Sequence, residues 1–154
     1  MGDMTLEGSL RTHPFLAGLP ESQIRDFASF ASKASFAEDE LVIEDGQRSK
    51  ACYLLLEGSV AVELATPRLT VCVQVLMPGD MFGWSAFLEH QDTVFRVRAR
   101  ERTAALCLDG TQLAAVCHSH PELAAELLRR TLRVVAGRVK ATEAMFAQFC
   151  GIKL

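Results

Sequence analysis

The chain has no apolar run approaching the roughly 18 uncharged residues of a membrane-spanning helix. Its start, Met1-Gly2-Asp3-Met4-Thr5-Leu6-Glu7, lacks the basic flank and apolar core of a secretory signal. A soluble, cytoplasmic protein is therefore expected. Nor is there a surplus of positive charge: 16 Lys and Arg stand against 19 Asp and Glu, so no overall field draws the chain to nucleic acid. Any charged ligand needs a local site. Gly2 is followed at position 6 by Leu6, where N-myristoylation requires Ser or Thr, and that anchor is excluded.

Catalytic signatures are missing as well. There is no G-x-S-x-G, no phosphate loop ending in Gly-Lys-Ser/Thr and no H-E-x-x-H. His13, His90, His118 and His120 have no neighbours that make a triad evident, and Glu89-His90-Gln91-Asp92 reads as a solvated loop. No enzymatic activity is expected. Cys52, Cys72, Cys107, Cys117 and Cys150 are odd in number, scattered and without a C-x-x-C pair, which argues for reduced, mostly buried thiols. Cys117-His118-Ser119-His120 holds metal-ligand types, but no second cluster completes the usual four-ligand set, and no metal is expected.

What is present fits one domain spanning 1–154: the chain is near the usual domain size, and 49% of it is hydrophobic. A helical segment is expected at 1–33, β structure at 34–108 and helices at 109–150. Pro20 opens an amphipathic helix over 20–31 that places Ile24, Phe27, Ala28 and Ala31 on one stripe. Short β-rich runs then recur at intervals of roughly ten residues, as in a barrel or sandwich: 41–43, 52–56, 60–64, 69–76, 94–99 and 103–108. Glu44-Asp45-Gly46, Glu57-Gly58, Thr66-Pro67 and Pro78-Gly79-Asp80 separate them with turn chemistry.

Helix returns after Asp109, which forms a capping box with Gln112. A second box, Ser119 with Glu122 around Pro121, opens the longest helix. Along it Leu128, Leu132, Val135, Val139, Thr142, Phe146 and Phe149 recur at alternating spacings of four and three, a narrow seam over about three heptads. A helix lying along its own barrel would usually show a wider apolar face, so the seam points to a homodimer. Gly137 within it marks a bend or a close crossing.

Taken in order, these elements resemble the cyclic-nucleotide-binding domain of bacterial catabolite-activator-type regulators, kinase regulatory subunits and gated channels. The resemblance covers about 15–149. It rests on Phe15-Leu16-Ala17-Gly18-Leu19-Pro20, Glu44-Asp45-Gly46, Tyr53-Leu54-Leu55-Leu56-Glu57-Gly58-Ser59-Val60, Pro78-Gly79-Asp80-Met81-Phe82-Gly83 and Val97-Arg98-Ala99. It implies a mainly β fold, an eight-stranded antiparallel jelly-roll barrel with short N-terminal helices and a long C-terminal helix. It also implies a phosphate cassette at Phe82, Gly83, Trp84, Ser85 and Ala86, completed by Thr93 and Val94, with Gly46, Gly58 and Gly79 as turn glycines. The implied ligand is cyclic AMP, cyclic GMP or another small anion.

Two positions depart from the family's pattern. Nucleotide-binding members usually carry Glu directly after Phe-Gly, on the ribose hydroxyl, where this chain has Trp84. They also carry Arg at the position that falls here on Thr93. Losing a charge-assisted Arg contact of about 1.5–3 kcal/mol and a hydrogen bond of about 1 kcal/mol implies about a hundredfold weaker cyclic-nucleotide binding. Strand alternation sends Thr93, Phe95, Val97 and Ala99 inward and Arg96, Arg98 and Arg100 to an outer ridge, unless a register slip turns Arg96 in. Trp84 either offers its face to a ligand or fills the pocket.

Three functions follow as expectations. The first is a regulatory ligand sensor whose long helix carries the response. The second is a dimerisation module with a closed pocket. The third, a transcription-regulator fragment, is disfavoured because only five residues follow Phe149, too few for a recognition helix, so no direct nucleic-acid contact is expected; the lack of a long apolar run leaves no membrane contact expected either.

Overall fold

The structure, a computed structural model, describes residues 5–87 and 92–153. Gly2 and His90, weighed above, lie outside the described residues. Helix α1 (Leu6–Thr12) is capped by Thr5, whose Oγ1 accepts from the Gly8 N–H at 3.1 Å. Helix α2 (Glu21–Ala28) starts directly after Pro20 and buries Ile24 and Phe27. It stops short of Ala31, which opens a strand instead.

Eight strands follow among the described residues, all paired antiparallel: β1 (Ala31–Phe36), β2 (Leu41–Ile43), β3 (Ala51–Glu57), β4 (Val60–Ala65), β5 (Thr70–Leu76), β6 (Met81–Phe82), β7 (Arg96–Ala99) and β8 (Thr103–Asp109). They form two four-stranded sheets, ordered β1-β8-β3-β6 and β2-β7-β4-β5. A mainly β chain with flanking helices was expected and is observed. The strand expected over 94–99 is shorter, because Thr93, Val94 and Phe95 belong to the loop that leads into β7.

The run Tyr53-Leu54-Leu55-Leu56 is apolar throughout because β3 is covered on both faces. Leu54 faces the helices, in a cluster with Leu10, Phe27, Leu106, Leu113 and Leu127. Leu55 faces the second sheet, in a cluster with Ile43, Val60, Leu76, Phe82 and Val97. On β7, Val97 and Ala99 are buried, as alternation requires. Arg96 and Arg98 lie on the other face, but neither is free in solvent: both Nε–H groups donate to Glu63 Oε1 at 3.1 Å, Arg96 also donates to Thr70 Oγ1, and Arg98 to the Asp39 carbonyl.

Helix α3 (Gly110–Ser119) is capped by the Asp109 carboxylate, which accepts from the Gln112 N–H at 3.0 Å. The second capping box is not formed. The His120 N–H still bonds the Val116 carbonyl at 3.0 Å, so Ser119 remains inside α3 and cannot cap the next helix. His120 alone separates α3 from α4 (Pro121–Phe149), which Pro121 opens at its first turn. Gly137 has nothing within 4 Å of where a Cβ would stand, and α4 runs through it without interruption. It marks neither a helix break nor a close crossing within the chain.

Helix α4 buries Leu123, Leu127 and Thr131 against the fold. Arg130 fastens it to the N-terminal loop, donating to the Phe15 and Ala17 carbonyls at 2.8 and 2.9 Å and to Glu126 at 2.8 Å. Of the expected seam, Leu128, Leu132, Val139, Phe146 and Phe149 are exposed, Phe149 to 91%, and Val135 is half-buried.

The thiols are less buried than expected. Cys52 is buried, Cys107 and Cys117 are half-buried, and Cys72 and Cys150 are exposed; all five are free. Burial pushes the Cys52 thiol up to about 12. No helix among the described residues is long and apolar enough to cross a membrane, and no three His, Cys, Asp or Glu among them stand together as a metal site.

His13 joins the N-terminal segment to β3. Its Nδ1 accepts from the Phe15 N–H at 3.1 Å, so Nε2 carries the proton and donates to the Leu55 carbonyl at 3.1 Å. Burial lowers its pKa from 6.5 against the opposing pull of the Leu55 carbonyl and the Asp80 carboxylate. Its contribution to stability is therefore complete above the unfolded value and is lost as pH falls through the lowered folded value. Urea unfolding from pH 7.5 to pH 5 is expected to show a falling stability that His13→Asn flattens. Equal slopes in the two proteins would place the titration elsewhere.

Candidate functional site: a cavity between the second sheet and the long helix

The segment that carries the family resemblance is held from three sides. In the turn before β6, Gly79 has a φ of 97° and donates its N–H to the Leu55 carbonyl at 3.0 Å, while the Asp80 carboxylate accepts from the Met77 N–H at 2.8 Å. The Leu55 N–H in turn donates to the Asp80 carbonyl at 2.9 Å. Strand β6 thus lies along β3, and the Phe82 ring stacks on Tyr53 with centroids 5.0 Å apart.

Gly83 follows with a φ of 80°, and a Cβ there would stand 2.5 Å from the Ala51 carbonyl oxygen and 3.0 Å from Ser49 Oγ. The molecule's own packing demands glycine at this point, with or without a ligand. Trp84–Phe87 then forms a single 3-10 turn, closed by the Ala86 N–H on the Gly83 carbonyl at 3.0 Å. Ser85 Oγ accepts from the Ser49 N–H at 3.0 Å and so ties this turn to the chain entering β3. Gly46 (φ 77°) and Gln47 pair with Thr93, whose carbonyl accepts from the Gly46 N–H at 2.7 Å. Gly58 (φ 81°) belongs to the β3–β4 turn, where a Cβ would meet the Arg102 carbonyl at 2.5 Å.

In front of this segment lies a cavity of about 540 Å³. Ile43, Val62, Val73 and Val97 from the second sheet form its floor, with Phe95 beside them; Phe82, Gly83, Trp84 and Ser85 form one wall, and Val135, Val139, Thr142 and Phe146 of α4 the opposite one. Five of the expected cassette residues therefore meet at one cavity: Phe82, Gly83, Trp84, Ser85 and Thr93. Thr93 keeps its hydroxyl occupied locally, donating to the Phe95 carbonyl at 2.9 Å and accepting from the Phe95 N–H at 3.2 Å.

Two expected residues are not on the wall. Ala86 is buried behind it against Gly110, and Val94 is 69% exposed because the loop before β7 turns it outward. Of the seam, Val135, Val139, Thr142 and Phe146 line the cavity, and Leu128, Leu132 and Phe149 do not. The half-buried Trp84 indole packs on the core of helices and first sheet and contributes wall. The 540 Å³ space is what remains beside it.

Sequence reasoning missed Arg138. This guanidinium enters the cavity wall from α4 and donates through Nη2 to the Met81 carbonyl. Burial lowers its pKa from 12.5 to about 10, opposed by the field of the Asp80 carboxylate, and it remains a cation at neutral pH. In the sequence it sits one residue from Val139 and reads as an ordinary solvated helix position. Only the direction from which α4 meets β6 shows where it points.

Residues 33–120, more than half of the chain, match the model of the cyclic nucleotide-binding domain. The chain belongs to that family. Within it, a candidate potassium channel protein of Rhodopseudomonas palustris is 28% identical over 125 residues, which is 81% of this chain and 29% of that protein. The chain thus spans less than a third of the length of this curated relative. A candidate cyclic nucleotide-binding protein of Geobacter metallireducens has the same fold, with a TM-score of 0.78 and 24% identity over 88% of this chain and 99% of that one. The regulatory subunit of a cAMP-independent protein kinase A from Trypanosoma brucei also shares it, with a TM-score of 0.68 and 23% identity over 91% of this chain and 48% of that one.

The packing at Gly83 generates a direct test. Gly83→Ala combines a left-handed backbone with a contact that must move the Ala51 carbonyl. It is expected to destabilise the domain by about 2 kcal/mol or more, measured by urea unfolding. A loss under about 0.5 kcal/mol, the usual range for a surface change, would mean that the turn relaxes freely.

Proposed function

We propose that this chain is a cytoplasmic regulatory module of the cyclic-nucleotide-binding family that senses a small ligand and signals through α4. The observation that carries this reading is the cavity itself: the family's Phe82–Ser85 segment and the long helix face each other across it. A ligand between them contacts the sheet side and the helix side at once, and it shifts the helix if it binds two helix positions with different affinity. We take the two sheets to act together as the family's jelly-roll barrel. Five free thiols accord with a reducing compartment.

Cyclic AMP and cyclic GMP are expected to bind weakly, because Trp84 and Thr93 stand where the family's ribose and phosphate partners are expected. The Trypanosoma subunit supports this line. A variant of it carrying Thr-to-Arg and the adjacent Val-to-Ala, together with a Glu-to-Ala change, is the form described as bound to cAMP in one site. Thr93-Val94 is the same dipeptide. Isothermal titration of the triple variant Trp84→Glu/Thr93→Arg/Val94→Ala is expected to show cyclic AMP affinity about a hundredfold above wild type. No gain would mean that the cavity does not accept a nucleotide in the family's pose, and micromolar wild-type binding would remove the premise.

A homodimer through α4 is the second part of the proposal. Leu132 is 67% exposed and Phe149 91% on one side of a 29-residue helix, a pattern suited to pairing with a second copy. Sedimentation equilibrium is expected to give twice the 16.9 kDa chain mass. Leu132→Glu, which lies off the cavity wall, is expected to give monomers that keep the fold. A monomeric wild type would leave the seam for some other partner.

A further inference from the structure

The cavity is far more apolar than a nucleotide needs. Isoleucine, valine and phenylalanine make most of its surface, beside the Trp84 indole, and the polar side chains on it are few: Gln74, Ser85, Thr93, Arg138, Thr142 and Glu143. Three of these are already engaged, Ser85 by the Ser49 N–H, Thr93 by Phe95 and Thr142 by the Arg138 carbonyl, to which it donates. A sugar ring and a base edge buried here would leave several donors and acceptors without partners. A flat or extended hydrocarbon would not.

Charge enters this surface mainly at one point. Arg138 carries five N–H donors in a planar fork that matches a carboxylate, yet among the described residues its one hydrogen bond is to the Met81 carbonyl and no carboxylate lies within ion-pair distance. Asp80 is near enough to be felt, but its carboxylate is held by the Met77 N–H. Glu143, the acidic residue on the wall, is exposed and stands five residues further along α4, about 7.5 Å in rise. A partly buried guanidinium with donors to spare, facing an apolar space, is an anion-binding feature.

We infer that the cavity takes an apolar organic anion, an aromatic or aliphatic carboxylate whose hydrocarbon lies against Trp84, Phe95 and the valines and whose charge is held by Arg138. This rests on the ligand-sensing reading above and names its ligand class. The anion contact is supplied by α4 rather than by the segment after Gly83, through the guanidinium donors that the Met81 carbonyl leaves open. Occupancy therefore adds a contact between α4 and the ligand beside the one between α4 and β6.

Calorimetric titration with 2-naphthoate and with 2-naphthamide, equal in shape and different in charge, tests the inference on the whole chain. Wild type is expected to bind the naphthoate at least about tenfold more tightly than the amide, which is about 1.4 kcal/mol. Arg138→Met is expected to bring the two affinities together, and Arg138→Lys to keep part of the difference. Glu143→Gln is expected to strengthen naphthoate binding alone. Arg138→Gln replaces the Met variant should that one fail to fold. Equal affinities in wild type, an unchanged ratio in Arg138→Met, or no binding of either probe would overturn the inference. Cyclic nucleotide binding in the absence of naphthoate binding would overturn it while leaving the ligand-sensing reading in place.

Discussion

Both lone pairs of the Leu55 carbonyl are in use. One accepts from Gly79, in the turn before β6, and the other from His13, at the end of α1. Because Leu55 also donates its own N–H to the Asp80 carbonyl, a single residue of β3 fixes the N-terminal segment, the turn and the strand that follows. The position of Gly83, and of the cavity wall formed by Trp84 and Ser85, derives from this clamp. So does the place of the Met81 carbonyl, to which Arg138 reaches from α4. Leu55 is fully buried, and a carbonyl there without partners would cost about 1–3 kcal/mol. The three segments are thus held together by a backbone group that cannot be left alone.

How much of this was legible depends on where each residue buries itself. Strands β3, β4 and β8 are covered by the core, carry the matching apolar runs and were readable to within a residue or two. Strand β1 was not, because it lies at a sheet edge with Ser32, Lys33 and Ser35 largely in solvent and so lacks a strong alternation. Strand β6 is two residues long, too short for any period, and only its pairing with Tyr53 and Leu54 defines it. The turn glycines were readable as turns. That Gly83 is pressed against the Ala51 carbonyl is a fact of tertiary approach and leaves no mark in the sequence.

Helix α4 shows why one periodicity can serve two faces. The heptad reading selected Leu128, Leu132, Val139 and Phe146, which the fold leaves exposed, whereas Leu123, Leu127, Thr131 and Val134 face its core. The two stripes are offset by one residue near the start of the helix, so an apolar count finds either. Arg138 stands four residues beyond Val134 and continues the buried stripe to the point where α4 meets β6. A charged residue at the end of an apolar stripe reads in sequence as the place where the stripe gives way to solvent.

The staple at Arg130 divides α4 mechanically. Up to that point the helix is held by its one-residue junction with α3 at His120 and by the two carbonyls of the N-terminal loop. Beyond it run nineteen more residues to Phe149, an arm of about 28 Å that meets the fold again at the Arg138–Met81 hydrogen bond and at buried Ala147. Such an arm magnifies: a tilt of about 5° at the staple carries Arg138 by roughly 1 Å and the far end by roughly 2.5 Å. The domain is thus geared, with the small displacement at the cavity and the large one at the tip.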